Sequence, residues 1–186
     1  MQERFLTSTE MSLLRPIFAN TLPYNELIIG VNYSEWGGHW NSITPHNIPR
    51  FAKAIWTPSF GNASDDDKWI FIHEMTHVWQ WYHGQNNVMS AVRLWTRYGS
   101  NYEDAYDYNF DDGNKLSDFN FEQQACIVPD YWLVDKGLVP KNAKGMRAAL
   151  SNYLPYMAEL RASGPPIGDP NRYRDHVQDY ELRTHL

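Results

Sequence analysis

At 186 residues, the chain is long enough to bury one substantial core, and we expect a single domain over residues 1–186. A formal net charge of −6 with no basic run argues against nucleic acid or an anionic membrane as partner. The lone cysteine, Cys126, excludes an internal disulfide, and no stretch is apolar enough for a membrane span. The opening Met1-Gln2-Glu3-Arg4-Phe5 lacks the apolar region of a secretory signal, so the expectation is either export by another route or a piece cut from a longer chain.

The first helical pattern runs from Thr9 to Asn20, with Thr9 as cap, Met11, Leu14, Ile17 and Phe18 as its stripe, and Pro16 as an interruption. Residues 26–32 (Glu-Leu-Ile-Ile-Gly-Val-Asn) read as a strand. A long loop is expected from Tyr33 to Pro49, with His39 and His46 as loop residues and not ligands. Residues 51–57 alternate as a strand that Pro58 ends.

Next comes the stretch that carries chemistry. His73-Glu74-Met75-Thr76-His77 is an H-E-x-x-H pattern, and residues four apart on a helix sit on one face, one turn apart. Two imidazoles so placed can converge on one zinc ion, while the adjacent Glu74 reaches a bound water as catalytic base. Ser64 is the expected N-cap, Asp65, Asp66 and Asp67 suit the first turn, and Gly84 is the expected terminator. Apolar residues cover nearly the whole circumference from Ile70 to Trp81, so this helix should be buried. Its bland alternative is a pair of hydrogen-bonded core histidines.

Residues 88–98 fit another helix with Val88, Val92 and Trp95 on one face and Met89 beside them. The acidic, aromatic run from Tyr102 to Gly113 partly imitates a calcium loop through Asp107, Asn109 and Asp111. Its glycine falls one place late, however, and a solvated loop is the better reading. Beyond Asp118 a capped helix carries Glu122 in its first turns, with Cys126 as a packed small residue and Pro129 kinking or ending it. A longer helix is expected over 142–162, bent at Pro155, followed by an extended tail from about 163.

A catalytic zinc site takes three protein ligands and keeps one position open. His83 lies at a known third-histidine spacing, but Gln80 stands where that pattern needs a turn-permitting glycine. In a continuing helix, six residues turn ~600°, which aims His83 about 120° away from His77. Glu122, on a second helix with apolar flanks, completes a His₂Glu set and is the preferred third ligand. The oxyanion donor is open among Tyr102, Tyr106, Tyr108 and His176.

Two blocks, residues 71–80 (Phe-Ile-His-Glu-Met-Thr-His-Val-Trp-Gln) and 120–125 (Asn-Phe-Glu-Gln-Gln-Ala), together with the turn at 57–62, resemble zincin domains found with bacterial type VI secretion and Rhs/VgrG proteins. They look most like the metallopeptidase extension at the C-terminus of some VgrG spike proteins. The resemblance implies an α+β, zincin-like fold, mainly helical, with a small sheet beside the H-E-x-x-H helix. It also implies Zn²⁺ held by His73, His77 and Glu122, with Glu74 as base. The implied biology is an antibacterial toxin that cuts protein or peptide substrates in the periplasm of a neighbouring cell. A secretion spike would be its carrier and a cognate immunity protein its partner. Two rivals stand beside it: a zinc-stabilised docking module without activity, and an amidase or endopeptidase of peptidoglycan.

Overall fold

The structure, a computed structural model, describes residues 2–32, 42–145 and 149–166. Among the described residues the main elements are five α-helices and one three-stranded sheet, joined in places by short 3-10 turns: β1 (Glu3–Phe5), α1 (Ser8–Phe18), β2 (Ile28–Asn32), β3 (Arg50–Ala52), α2 (Asp65–Tyr82), α3 (Asn87–Tyr98), α4 (Phe121–Asp135) and α5 (Leu150–Ala162). The fold is therefore mixed α+β and mainly helical. The small central strand β2 runs antiparallel to β1 and parallel to β3.

The sheet meets α2 through aromatic side chains. Phe51 of β3 lies 5.8 Å from Phe71 of α2, and Phe60, in the turn between them, stacks on Phe71 at 5.0 Å. All three rings are fully buried, so this cluster fixes one side of α2 against the sheet. On its other side α2 packs along α4, and the core continues through Ile127, Val128, Trp132, Tyr153 and Met157.

Helix α2 begins and ends by local chemistry. The Ser64 hydroxyl accepts from the Asp67 amide at 3.1 Å, and three aspartates occupy the positive end of the helix. At the other end Gly84 takes φ 88°, which lets the Gly84 and Gln85 amides reach back to the carbonyls of Trp81 and Gln80. Helix α4 starts at Asn120, whose side chain accepts from the amides of Glu122 and Gln123, while Gln123 returns a bond to the Asn120 amide.

Several sequence expectations shift. Thr7, not Thr9, caps α1, because its hydroxyl and amide engage Glu10 in a capping box, and the helix runs through Pro16. Strand β1 was not expected; three residues at the chain start give too short a pattern to recognise without their partner. Residues 51–57 do not stay extended: the strand ends at Ala52, whose carbonyl accepts from the Ile55 and Trp56 amides in a turn. Helix α4 passes through Pro129 and ends at Asp135. The helix expected from 142 begins at Leu150; Ala143 instead bridges to Tyr108, and Met146 lies outside the described residues.

Helix α3 is present, but its apolar stripe faces outward. Val92 is 53% exposed and Trp95 67%, whereas Leu94 is buried against Ala105 and Phe121. Among the described residues the calcium-like run forms no metal-ligating group. Asn109 caps a short 3-10 turn there, and Asp107 pairs with Lys144. The extended tail expected from about 163 lies outside the described residues beyond Pro166.

Candidate metal centre

Helices α2 and α4 bring three ligand atoms together. His73 Nε2 and His77 Nε2 are 3.2 Å apart, and Glu122 Oε2 lies 3.3 Å from the first and 3.2 Å from the second. All three residues are buried, and among the described residues they are the group of His, Cys, Asp or Glu that could hold a metal ion. The triangle has the size such an ion needs. A tetrahedral centre about 2.0–2.1 Å from each ligand sets ligand atoms roughly 3.3–3.4 Å apart.

The charge balance fits as well. Without an ion, three lone-pair-bearing atoms face one another, and a proton must be held among them. Burial opposes charge on His77, yet the facing Glu122 carboxylate, helped by Glu74 and Gln80, pushes its pKa up to about 9. Burial likewise opposes ionisation of Glu122, and the two imidazoles overcome it and hold its carboxyl far below the usual range. A cation in the triangle satisfies both tendencies at once.

The remaining partners fix the ligands. Tyr102 donates its hydroxyl to Glu122 Oε1, the oxygen outside the triangle, at 3.2 Å. His77 Nδ1 lies 2.8 Å from Gln80 Oε1. The His73 ring stacks on Trp69 at 5.3 Å, and its Nδ1 faces Cys126 Sγ at 3.8 Å. Cys126 thus sits behind a ligand and not in the triangle. Burial, reinforced by Glu122, raises its thiol well above the ordinary value, so it stays protonated. Trp69 is itself pinned by a 2.8 Å bond from Nε1 to Asp130, a fully buried carboxylate.

Glu74 is buried beside the trio without joining it. The Thr44 hydroxyl donates to Glu74 Oε2 at 2.6 Å, and Asn87 ties this arm down by donating to the carbonyls of Thr44 and His77. His83 takes no part in the group. Its Nδ1 faces the Trp79 carbonyl at 2.8 Å and its Nε2 lies 3.1 Å from Ser163 Oγ, so it fastens the end of α5 to α2. His46 packs edge-on against Trp81. His39 lies outside the described residues.

Of the tyrosines weighed as oxyanion donors, Tyr108 is committed elsewhere: its hydroxyl donates to Asp130 and meets that of Tyr153. Tyr106 packs its ring 6.0 Å from His73 and 5.8 Å from Tyr102. Burial and the nearby Glu122 raise the hydroxyls of Tyr102 and Tyr106 above the ordinary phenol value, which keeps both as donors. His176 lies outside the described residues. Thr44 and Asn87 were not singled out in the sequence, and Gln80 only as the residue in place of a glycine, because polar residues in a loop or on a helix reveal their partners only in three dimensions.

No protein-family model matches the chain. The type VI secretion system spike protein VgrG2b of Pseudomonas aeruginosa is 31% identical over 152 residues, which is 81% of this chain and 14% of that protein. The solved effector domain of Pseudomonas aeruginosa VgrG2b matches at 31% identity with a TM-score of 0.65, covering 72% of this chain and 75% of that one. The chain belongs to the VgrG2b effector-domain family. It spans 14% of the length of the curated VgrG2b spike protein and corresponds to its effector portion. Within this effector family, the buried His73–His77–Glu122 group is a candidate metal site joining the two helices that pack most extensively together.

Proposed function

We propose that this VgrG2b-type effector domain is a zinc-dependent metallopeptidase of the zincin kind. The observation that carries the reading is the triangle of His73 Nε2, His77 Nε2 and Glu122 Oε2, with a second acidic side chain, Glu74, held beside it but outside it. A purely structural zinc site closes all four positions with ligands and has no use for a neighbouring base. In this reading the role of the VgrG2b spike protein in type VI secretion carries over. The domain then travels on a secretion spike and acts as an antibacterial toxin in the periplasm of a target cell, where a cognate immunity protein protects kin.

Zinc bound by His73, His77 and Glu122 would polarise the scissile carbonyl and lower the pKa of a water molecule beside it. Glu74 removes a proton from the attacking water and delivers it to the leaving amine. Thr44 orients the carboxylate for that exchange by occupying Oε2, which leaves Oε1 for the proton. Tyr102 steadies Glu122 from outside the triangle, and Tyr106, whose ring lies 6.0 Å from that of His73, is the remaining described tyrosine for the oxyanion-donor role.

The test compares wild type with Glu74→Gln, both loaded with zinc, on unfolded protein and on purified peptidoglycan, with released fragments identified by mass spectrometry. Wild type is expected to cut polypeptide and the variant to lose at least ~100-fold in rate while keeping zinc. Equal rates would overturn the assignment of Glu74. Fragments from peptidoglycan alone would move the substrate to cell-wall amides, and no fragments from either would favour a docking module.

A further inference from the structure

Gln80 makes contacts that a spacing argument cannot reveal. Its Oε1 lies 2.8 Å from His77 Nδ1, and its Nε2 donates to the Phe121 carbonyl at 2.8 Å and to Gln124 Oε1 at 3.0 Å. Gln124 in turn donates from Nε2 to the Phe119 carbonyl at 2.8 Å. Gln80 is 1% exposed, so water does not compete for these bonds.

The direction of every bond follows from its far end. A backbone carbonyl accepts and never donates. The Phe119 carbonyl therefore fixes the NH₂ group of Gln124 towards itself and turns Gln124 Oε1 towards Gln80. The Phe121 carbonyl and that oxygen both demand a donor, so Gln80 must present NH₂ to them. Reversing the Gln80 amide would set its oxygen against two acceptors. Gln80 Oε1 then faces His77, and His77 Nδ1 must carry the ring proton. In the neutral ring, the form that ligates a metal, the lone pair is left on Nε2, the atom in the triangle.

We propose that Gln80 is a positioning residue that fixes the tautomer of His77 and, through the Phe121 carbonyl, its separation from Glu122. One side chain holds both arms: its oxygen sits on a ligand of α2, and its nitrogen holds the residue just before the ligand of α4. Ligand histidines almost always donate their second ring N–H, and removal of the acceptor typically weakens metal binding by about 10–100-fold. Here the acceptor is a carboxamide whose orientation two backbone carbonyls dictate.

This inference rests on the reading of the trio as a zinc site, and the experiment separates the two. Zinc affinity is measured by chelator competition for wild type, Gln80→Met and Gln124→Met, and the His77 ring is followed by long-range ¹H–¹⁵N correlation in the zinc-loaded proteins. Wild type is expected to show a protonated, slowly exchanging Nδ1 with zinc on Nε2. Gln80→Met, similar in size but without the bonds, should bind zinc about 10–100-fold more weakly and lose the protection of that proton. Gln124→Met leaves Gln80 in place but removes one of the two acceptors that orient its amide, and should fall between the two. It also keeps the inference testable if Gln80→Met fails to fold. Failure of wild type to bind zinc at this trio would remove the metal reading itself. Zinc binding by wild type with unchanged affinity and an unchanged His77 Nδ1 proton in Gln80→Met, or in Gln124→Met if Gln80→Met fails to fold, would overturn the role of Gln80 alone.

Discussion

Asp130 offers a demanding check on how the helices of the candidate metal site are held. It is fully buried in α4, and each oxygen accepts two bonds: Oδ1 from Trp69 Nε1 and the Lys141 amide, Oδ2 from the Tyr108 hydroxyl and the Asn142 amide. Asp130→Asn keeps the shape and replaces one acceptor oxygen by a donor. If the new NH₂ faces Tyr108, that hydroxyl can reverse, but the Asn142 amide is orphaned. If it faces the other pair, Trp69 and Lys141 both lose their partner. One to two buried donors without acceptors, at ~1–3 kcal/mol each with local crowding, bring the cost to about 2–5 kcal/mol. For a chain of this size that is a fall in Tm of roughly 5–20 °C. Urea unfolding followed by tryptophan fluorescence and by circular dichroism would measure it. A loss under about 1 kcal/mol with an unchanged m-value would refute the four-donor argument. Because Trp69 stacks on His73, the same variant should also weaken zinc binding, an effect that a remote destabilised site would not share.

Other expectations follow from the same geometry. Without metal, His77 is raised from 6.5 to about 9, so its contribution to stability is complete below pH ~6.5 and is lost as pH rises through ~9. Chemical denaturation of metal-free protein across that window should show falling stability, and saturating zinc should flatten the dependence. Trp95→Ser should change stability by no more than about 0.5 kcal/mol, since the ring is 67% exposed, while Leu94→Ala next to it should cost about 2–4 kcal/mol. Paired denaturation curves would settle that contrast; a large loss at Trp95 would show that its ring packs against something in solution. Thr44→Val, which removes the 2.6 Å bond to Glu74, should lower kcat about tenfold with little change in KM, as expected for one hydrogen bond to a carboxylate.

What the sequence determined by itself was the chemistry that local spacing enforces. An H-E-x-x-H pattern on a capped, apolar helix puts His73 and His77 on one face whatever surrounds them, and Ser64 and Gly84 mark where that helix starts and stops because cap chemistry is local. The Asn120 cap and the apolar flanks of Glu122 pointed to the second helix in the same way, and Gln80 with Gly84 turned the reading away from His83. The rest depended on distant partners. Whether Val88, Val92 and Trp95 face the core or solvent is a matter of how α3 docks, and Asn87 and Leu94 decided it by binding inward. Residues 51–57 alternate like a strand, yet only 50–52 have β2 to pair with. Asp130 looked like an ordinary helix acid until four donors from three separate parts of the chain met on it. Gln80 shows the difference most clearly. In the sequence it was the residue that replaced a glycine; in the fold, two carbonyls of another segment turn it into the group that holds His77 towards Glu122, because a hydrogen bond's direction is set by a partner that sequence spacing cannot place.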